Sequence, residues 1–357
     1  MKCRLLLLLL LAPFCAFAQA PPTLDETARF LAGMSVQGPL APLTQMPAWQ
    51  EHARAMDEAW GKKERQQILP IRDWMLTNAP EFFGSNGTMF YMFGGPDFLY
   101  ANTFFPNADT YILAGLEPIG DVSDLTQFPP DAVVGGLPVL RASLSNILRF
   151  QYFITKDMRA ELGKNGVSGV LPLFYVFLAR TGHAVLSVER LTSPAEGVKI
   201  IFRDPERAQA QTLFYFKTDL SDGHSAFLKW CATQGPGLSL IKAASYLMHG
   251  EGFDGVKNFL LQNSRVLIQD DSGIPLRDFP RGWSVHIYGH YVPHRTDFAK
   301  YWQPDLAAFI AQNPAGPLGF AFGYHWEKDE GFLMLATPTG GEKQRRELEV
   351  RRALPAD

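Results

Sequence analysis

The sequence predicts an α+β fold, in which a mixed β-sheet packs against helices and an N-terminal helical segment precedes the sheet. Helical periodicity comes first along the chain, and short apolar runs bounded by Gly, Pro, Asn and Asp then predict strands. The helical patterns further on are clustered and do not alternate strictly with the strands. A content of 46% hydrophobic and 19% charged residues is typical of a globular chain.

Residues 1–18 have the pattern of a secretory signal peptide. Lys2 and Arg4 precede the apolar run 5–11, and Ala18 is a small residue suited to the last position before cleavage. The run is shorter than the roughly 20 apolar residues that span a bilayer. We therefore expect cleavage after Ala18, export to the periplasm or the medium, and no transmembrane segment.

The exported chain would retain Cys231 as its one cysteine, so no intramolecular disulfide is expected. Losing the two basic residues of the leader changes the formal net charge from −3 to −5. A binder of nucleic acid would instead carry a basic stripe, so we expect no nucleic-acid partner. No motif indicates a cofactor. The sequence leaves the oligomeric state open.

The first part of the exported chain is predicted to form a helical cover. Residues 23–34 and 49–67 have amphipathic helical patterns, and Pro70 is expected to end the second helix. We expect a single large domain over 19–338. The glycine-rich and then strongly charged segment 339–357 is expected to form a disordered tail.

The strands of the sheet are predicted from β-branched and aromatic enrichment. Predicted strands cover residues 88–93, 110–116, 184–190, 198–203, 211–218, 265–269, 283–288, 319–323 and 332–337. Predicted helices cover residues 131–147, 155–163, 167–180, 225–233, 238–249, 253–263 and 304–312.

The segment 81–120 is unusually rich in Phe and Tyr and is interrupted by two glycines, Pro96 and Asp97. Exposed rings here would stack on a sugar or another flat apolar ligand, while buried rings would simply fill the interface between sheet and helices. Asp97 and Tyr100 are candidate ligand-binding residues for the first alternative. Arg277 joins them as a candidate from a polar cluster further along the chain.

Asp270 and Asp271 directly follow an apolar strand, a common way to place acids at the edge of a sheet. The same residues, followed by Ser, Gly and Pro, are also typical of a tight turn. As catalytic candidates they would work with His286 or His290, because an imidazole beside a carboxylate can exchange protons near neutral pH.

His286, His290 and His294 are spaced by four residues, which on a helix would place them on one face for a metal ion. Gly289 and Pro293 disfavour that helix, and along a strand four residues span roughly 13 Å. The sequence therefore predicts no metal site.

The stretch 93–120, containing GGPDFLYANTFFPNADTYILAGLEPIG, and the stretch 269–279, containing QDDSGIPLRDF, resemble a group of uncharacterised exported bacterial proteins. The resemblance implies export from a bacterial cell and carries no activity.

Three functional hypotheses remain from the sequence. The first is an exported envelope protein that binds a small ligand or a glycan in an aromatic-lined cleft. The second is a hydrolase that uses an Asp/His acid-base pair. The third is a structural or assembly factor of the envelope, which would present a large exposed apolar patch without a pocket.

Overall fold

The structure is a computed structural model that describes residues 21–150, 167–294, 297–325 and 331–340. The predicted signal peptide, the predicted helix 155–163 and nearly all of the predicted tail lie outside the described residues. Within them, a mixed sheet with packed helices and an N-terminal helical segment confirms the α+β fold. No helix in these ranges combines the length and apolar character needed to cross a membrane. Cys231 is a buried free thiol.

The elements follow the predicted order closely. The helices are α1 (Leu24–Leu31), α2 (Pro47–Lys63), α3 (Leu69–Asn78), α4 (Pro80–Phe83), α5 (Phe98–Phe104), α6 (Pro130–Phe150), α7 (Leu171–Arg180), α8 (Ser225–Ala232), α9 (Asp254–Asn263) and α10 (Pro304–Gln312). The strands are β1 (Thr88–Tyr91), β2 (Thr110–Gly115), β3 (Asp121–Val122), β4 (Val167–Ser168), β5 (Ala184–Leu191), β6 (Gly197–Arg203), β7 (Gln211–Lys217), β8 (Gly237–Ile241), β9 (Ser264–Gln269), β10 (Trp283–Gly289) and β11 (Phe332–Pro338).

The expectation that Pro70 ends a helix was wrong. The chain passes from α2 through a π-helical turn, Glu64–Ile68, directly into α3, and Pro70 lies in the first turn of α3. Proline lacks the N–H of a regular helical hydrogen bond, and the π-helical turn, whose bonds run between residues i and i+5, interrupts the regular pattern just before Pro70. The wider turn thus lets one helical segment continue into the next.

In the described part of the chain, nine strands form one sheet in the order β10-β11-β9-β8-β1-β2-β7-β6-β5. The five central strands, from β9 to β7, are parallel to one another, and antiparallel pairs extend the sheet on both sides. Met89 of β1 lies between Tyr111 of β2 and Leu238 of β8. The carboxyl ends of the five central strands therefore meet at one edge of the sheet.

Both faces of the central sheet are covered. Met89 and Tyr91 pack into a core with α1, α2, α3, α5, α6 and α7, whereas Phe90 and Ile112 pack on the other face with α8 and α9. Strands buried on both faces read as continuous apolar runs instead of alternating ones. A third cluster joins Leu306 of α10 to the strands β10 and β11.

The loss of alternation explains a wrong prediction. We expected a helix over 238–249, but the structure has the strand β8, a tight turn and one 3₁₀ turn, Leu247–His249. Leu240 and Ile241 face opposite cores, so the run is apolar without a strand period and matches a helix pattern as well. The predicted strand 319–323 is also absent, and Gly323 there has a φ of +66°, which interrupts an extended run.

The connections that leave β1 and β8 diverge. The connection from β1 to β2 runs through α5 on one face, and the connection from β8 to β9 runs through α9 on the opposite face. Such a switch point opens a crevice beyond the carboxyl ends of the two strands, where α/β proteins bind their ligands. The fold therefore predicts a ligand site at the carboxyl ends of β1 and β8.

Candidate functional site

A cleft of about 660 Å³ lies at this switch point. Most of its wall is built from residues at or after the carboxyl ends of β1, β2, β7 and β8, and the segment before α9 and the connection between β10 and β11 complete it. The lining residues with rings or polar side chains are Tyr91, Phe93, Asp97, Glu117, Thr218, Asp219, Lys242, Ser245, Phe253, Phe298 and Tyr324.

A buried ion pair joins the ends of β1 and β8 at the base of the cleft. The Lys242 ammonium donates to Asp97 Oδ2 at 2.6 Å, and the two side chains are 1% and 2% exposed. Asp97 also accepts from the Tyr91 hydroxyl at 3.0 Å and from the backbone N–H of Tyr100 at 3.1 Å, where it caps α5. The Lys242 Nζ lies 3.2 Å from the centroid of the Tyr100 ring. These partners offset the cost of removing both charges from water.

Burial shifts the pKa values of two lysines near this ion pair. It lowers the pKa of Lys242, while the Asp97 carboxylate opposes that shift. A second lysine, Lys63 of α2, lies 5.9 Å from the Tyr100 ring centroid. Burial and, to a smaller extent, the positive charge of Lys242 lower the pKa of Lys63 to about 7, while the Asp97 carboxylate opposes this shift. The Lys63 ammonium therefore loses its proton near neutral pH.

A strained turn follows Lys242. Ala243, Ser245 and Tyr246 have φ values of +52°, +54° and +56°, a region that side chains other than glycine rarely adopt. A residue directly after β9 holds the turn in place, because the N–H of Ala243 donates to Asp270 Oδ2 at 2.9 Å. Strain of this kind costs roughly 1–3 kcal/mol per residue and persists where surrounding contacts impose it. Here it directs the Tyr246 ring toward the end of β9.

Asp271, at the end of β9, binds two imidazoles. Its Oδ2 lies 3.1 Å from His294 Nε2, and its Oδ1 lies 3.1 Å from His325 Nε2. The Tyr246 hydroxyl donates to Asp271 Oδ2 at 2.8 Å and also contacts His294 Nε2. The imidazoles hold the pKa of Asp271 below its usual range despite burial. Asp271 is thus an ionised carboxylate inside the protein.

The neighbouring Asp270 is fully buried and serves mainly as a scaffold. Its Oδ1 accepts from the Ser272 hydroxyl at 2.6 Å, and its Oδ2 touches the position that a Cβ on Gly323 would occupy. Burial, together with the Asp271 charge, raises the pKa of Asp270 to about 6. The two adjacent carboxyl groups therefore have opposite pKa shifts, set by the different partners of each.

The aromatic segment contributes to both the core and the cleft. Its rings are mostly buried, Tyr100 among them at 1% exposure, but Tyr91 and Phe93 line the cleft. Asp97 lies in the cleft wall as a candidate ligand-binding residue. Tyr100 lies beneath it, with its ring under Lys242 and its hydroxyl donating to Gln67 at 3.4 Å.

The structure separates other candidates from this site. His286 is exposed on β10, where its Nε2 lies 3.1 Å from the Ser284 hydroxyl, and His290 is also exposed. The imidazoles hydrogen-bonded to Asp271 are those of His294 and His325 instead. Arg277 is half exposed, donates to the carbonyl of His249 at 3.1 Å and does not line the cleft.

Sequence reasoning missed several residues of the site. Lys242 and Tyr246 fell inside a segment predicted as a helix, so neither was considered for a strand end. His325 carried no signal, since it follows an irregular segment and lies 54 positions from Asp271 along the chain. His294 was considered only together with its neighbours in sequence. A corrected strand prediction for β8 would have found Lys242, because polar residues after a buried strand mark its end.

One group of residues has the chemistry of a metal site. Asp271, His294 and His325 each offer one ligand atom, and these atoms lie within 4.8 Å of one another. Two imidazoles and one carboxylate are ligands that zinc and iron take in proteins.

No family model matches the chain. No curated protein matches it either. Among solved structures, one of the rebeccamycin biosynthetic enzyme RebC with reduced flavin is 11% identical, with a TM-score of 0.12 over 76% of this chain and 50% of that chain. A second structure, of RebC-10x, is 10% identical with a TM-score of 0.12, over 76% of this chain and 49% of that chain. The chain spans about half of these proteins, and so low a score supports no conclusion about fold or chemistry.

We expect Lys242→Met to lower the free energy of unfolding by about 3–5 kcal/mol, because it leaves the Asp97 charge buried without its partner. Combining Lys242→Met with Asp97→Asn should cost less than the sum of the two single changes. Urea denaturation of the four proteins measures this coupling. The control cycle uses the surface pair Lys199 and Glu189, whose side chains are 34% and 64% exposed and whose coupling should stay below about 1 kcal/mol. Equal coupling energies in both cycles would contradict the interpretation that burial makes Lys242 and Asp97 depend on each other.

The low pKa of Lys63 predicts a pH-dependent stability. Between about pH 7 and its unfolded value of 10.5, the unfolded chain binds a proton on Lys63 that the folded protein does not. Lys63 therefore makes the free energy of unfolding rise with pH in this window, by up to about 1.4 kcal/mol per pH unit. Chemical denaturation from pH 7 to 10 should show a smaller slope for Lys63→Met than for wild type. Lys229→Met provides the control, because Lys229 is exposed on α8 and the variant should keep the wild-type slope. Identical slopes in all three proteins would disprove the assignment.

Proposed function

We propose that the protein is an exported envelope protein that binds a small, uncharged polyhydroxylated ligand, such as a monosaccharide or disaccharide, in the cleft between β1 and β8. The observation that carries this proposal is the composition of the cleft wall, where aromatic rings stand beside carboxyl groups at the switch point of a parallel sheet. The volume of about 660 Å³ lies within the usual range for small-molecule sites.

The rings give the cleft flat apolar surfaces. Phe93 and Phe253 form one part of the wall, with ring centroids 6.2 Å apart, and Phe298 and Tyr324 form another, at 4.6 Å. All four side chains are partly buried and line the cleft, so part of each side chain is accessible there. The apolar face of a sugar ring stacks on such surfaces, while its hydroxyl groups need acceptors nearby.

The charges of the cleft favour a neutral ligand over an anionic one. Among the described residues of the wall, Lys242 is the one lysine, and its charge is offset by Asp97 at 2.6 Å. Glu117 and Asp219 add two further carboxyl groups. Hydrogen bonds from Ser221 hold the pKa of Asp219 below its usual value, so this group is ionised at neutral pH. A phosphate would be repelled, whereas sugar hydroxyls would donate to these oxygens.

Saturation-transfer NMR and calorimetry with glucose, galactose, maltose and cellobiose test the proposal, with glucose 6-phosphate as the anionic counterpart. We expect a neutral sugar to bind and glucose 6-phosphate to bind more weakly. Phe253→Ala should weaken binding about fivefold, because it removes one stacking surface worth roughly 1 kcal/mol.

Leu186→Ala supplies the matched control for that variant, since Leu186 is an exposed apolar residue on the edge strand β5. It should leave the affinity unchanged. Failure of every neutral sugar, tighter binding of glucose 6-phosphate, or equal effects of the two variants would each overturn the proposal.

A second candidate function is hydrolysis by an Asp/His pair. The observation that favours it is the contact of Asp271 with His294 and His325, in a cluster whose neighbour Tyr324 lines the cleft. A carboxylate that orients an imidazole is a common arrangement for general base catalysis on water. The pair differs from the predicted one, in which His286 or His290 would have been the base.

Release of nitrophenol from nitrophenyl glycosides and esters tests this candidate in the presence of EDTA. Turnover by wild type should fall at least 100-fold in His294→Ala, because the general base is lost. His290→Ala, an exposed histidine four residues earlier, should retain full turnover. The absence of turnover in wild type, or an equal loss in both variants, would reject hydrolysis by this pair.

A further inference from the structure

We propose that Asp271, His294 and His325 bind a divalent first-row transition-metal ion of the zinc class. This inference goes beyond the proposed ligand-binding function and does not depend on it. Its basis is the convergence of two imidazole nitrogens and one carboxylate from three separate segments of the chain: the end of β9, the segment after β10 and the segment before β11.

The distances between the ligand atoms fit one shared ion. Ligands that bind zinc at about 2.0–2.2 Å, with angles of about 90–110°, stand roughly 3.0–3.5 Å apart. His294 Nε2 lies 3.1 Å from Asp271 Oδ2, His325 Nε2 lies 3.1 Å from Asp271 Oδ1, and one ligand atom from each of the three residues lies within 4.8 Å of the other two. The His294 and His325 rings are neighbours as well, with centroids 4.4 Å apart, so both imidazoles stand beside the same carboxylate.

The surroundings hold these ligands in place. Gln303 donates from Nε2 to the backbone carbonyl of Asp271 at 3.2 Å. The Tyr246 hydroxyl donates to Asp271 Oδ2, and the Tyr246 ring is stacked on Tyr301 with centroids 4.5 Å apart. Residues that hydrogen-bond to metal-binding side chains orient those side chains and are a regular part of metal sites. Tyr246 is therefore a positioning residue beside the ion.

The ligand set selects the class of ion. Two imidazoles among three ligands suit zinc, iron, nickel or copper, whereas magnesium and calcium prefer oxygen ligands. A divalent cation would also counter the repulsion between the buried Asp270 and Asp271 carboxyl groups, which occupy adjacent positions. Three protein ligands leave at least one coordination position for water or for a bound molecule.

Calorimetric titration with Zn²⁺ tests the site, using purified protein without a histidine tag and stripped of metal with EDTA. We expect one ion per chain with a Kd in the micromolar range or below, and Mg²⁺ binding at least 100-fold weaker. The melting temperature should rise with Zn²⁺ concentration, because an ion that binds the folded state alone stabilises it.

His294→Ala and His325→Ala should each weaken Zn²⁺ binding at least 100-fold, since each removes one of three ligands. His286→Ala and His290→Ala are the matched controls, because both histidines are exposed and lie outside the cluster. Tyr246→Phe should keep binding within about tenfold, as expected for a positioning residue. Circular dichroism shows which metal-free variants are folded. If a ligand variant does not fold, the absorption spectrum of Co²⁺ bound to the wild-type protein provides the test. Bands that differ from those of hydrated Co²⁺ indicate binding by the cluster, whereas unchanged bands indicate loose surface binding and contradict the proposal.

No stoichiometric Zn²⁺ binding by wild type would overturn the proposal, and it would assign the cluster to hydrogen bonds between imidazole N–H groups and Asp271. Equal losses in the control histidine variants would also overturn it, in favour of surface binding. Sugar binding is measured separately, so failure of the metal site and failure of the proposed function remain distinguishable.

Discussion

The ion pair between Lys242 and Asp97 links the ends of β1 and β8, the two strands whose following connections run on opposite faces of the sheet. Much of the candidate site is arranged around this pair. Asp97 ends the loop after β1 and caps α5. Lys242 ends β8, and the strained turn beyond it carries Tyr246 to the end of β9. Two opposite charges excluded from water must remain together, because separating them would leave each buried without a partner. The pair therefore constrains both the base of the cleft and the path of the chain toward Asp271.

Much of the fold could be predicted from local pattern. Strand lengths, turn residues and the helical cover each depend on neighbours in sequence, and the predicted elements match the structure closely in most places. Errors arose where tertiary burial overrides the local signal: β8 is apolar on both faces and resembles a helix, and Pro70 is accommodated by a π-helical turn that no propensity indicates. Strand order was beyond reach, because the pairing of β1 with β8 is set by packing over a long sequence separation.

The candidate site was predictable to the extent that it follows strand ends. Asp270 and Asp271 were found because two acids directly after an apolar strand are visible in the sequence, and Asp97 was found because two glycines and a proline precede it. The histidine partners were not predictable, since spatial proximity decides them: His290 and His294 are four residues apart, yet only His294 contacts Asp271. His325 comes from a segment whose path no periodic pattern describes.

The two imidazoles both lie in the connection between β10 and β11, the antiparallel pair added to one side of the parallel sheet. The same connection carries Phe298 and Tyr324, which line the cleft, and the Tyr324 hydroxyl donates to the carbonyl of Ala243 in the strained turn after β8 at 3.0 Å. The antiparallel addition to the sheet therefore contributes both the histidine cluster and part of the cleft wall. A change in the length or path of this connection would alter the cluster and the cleft together.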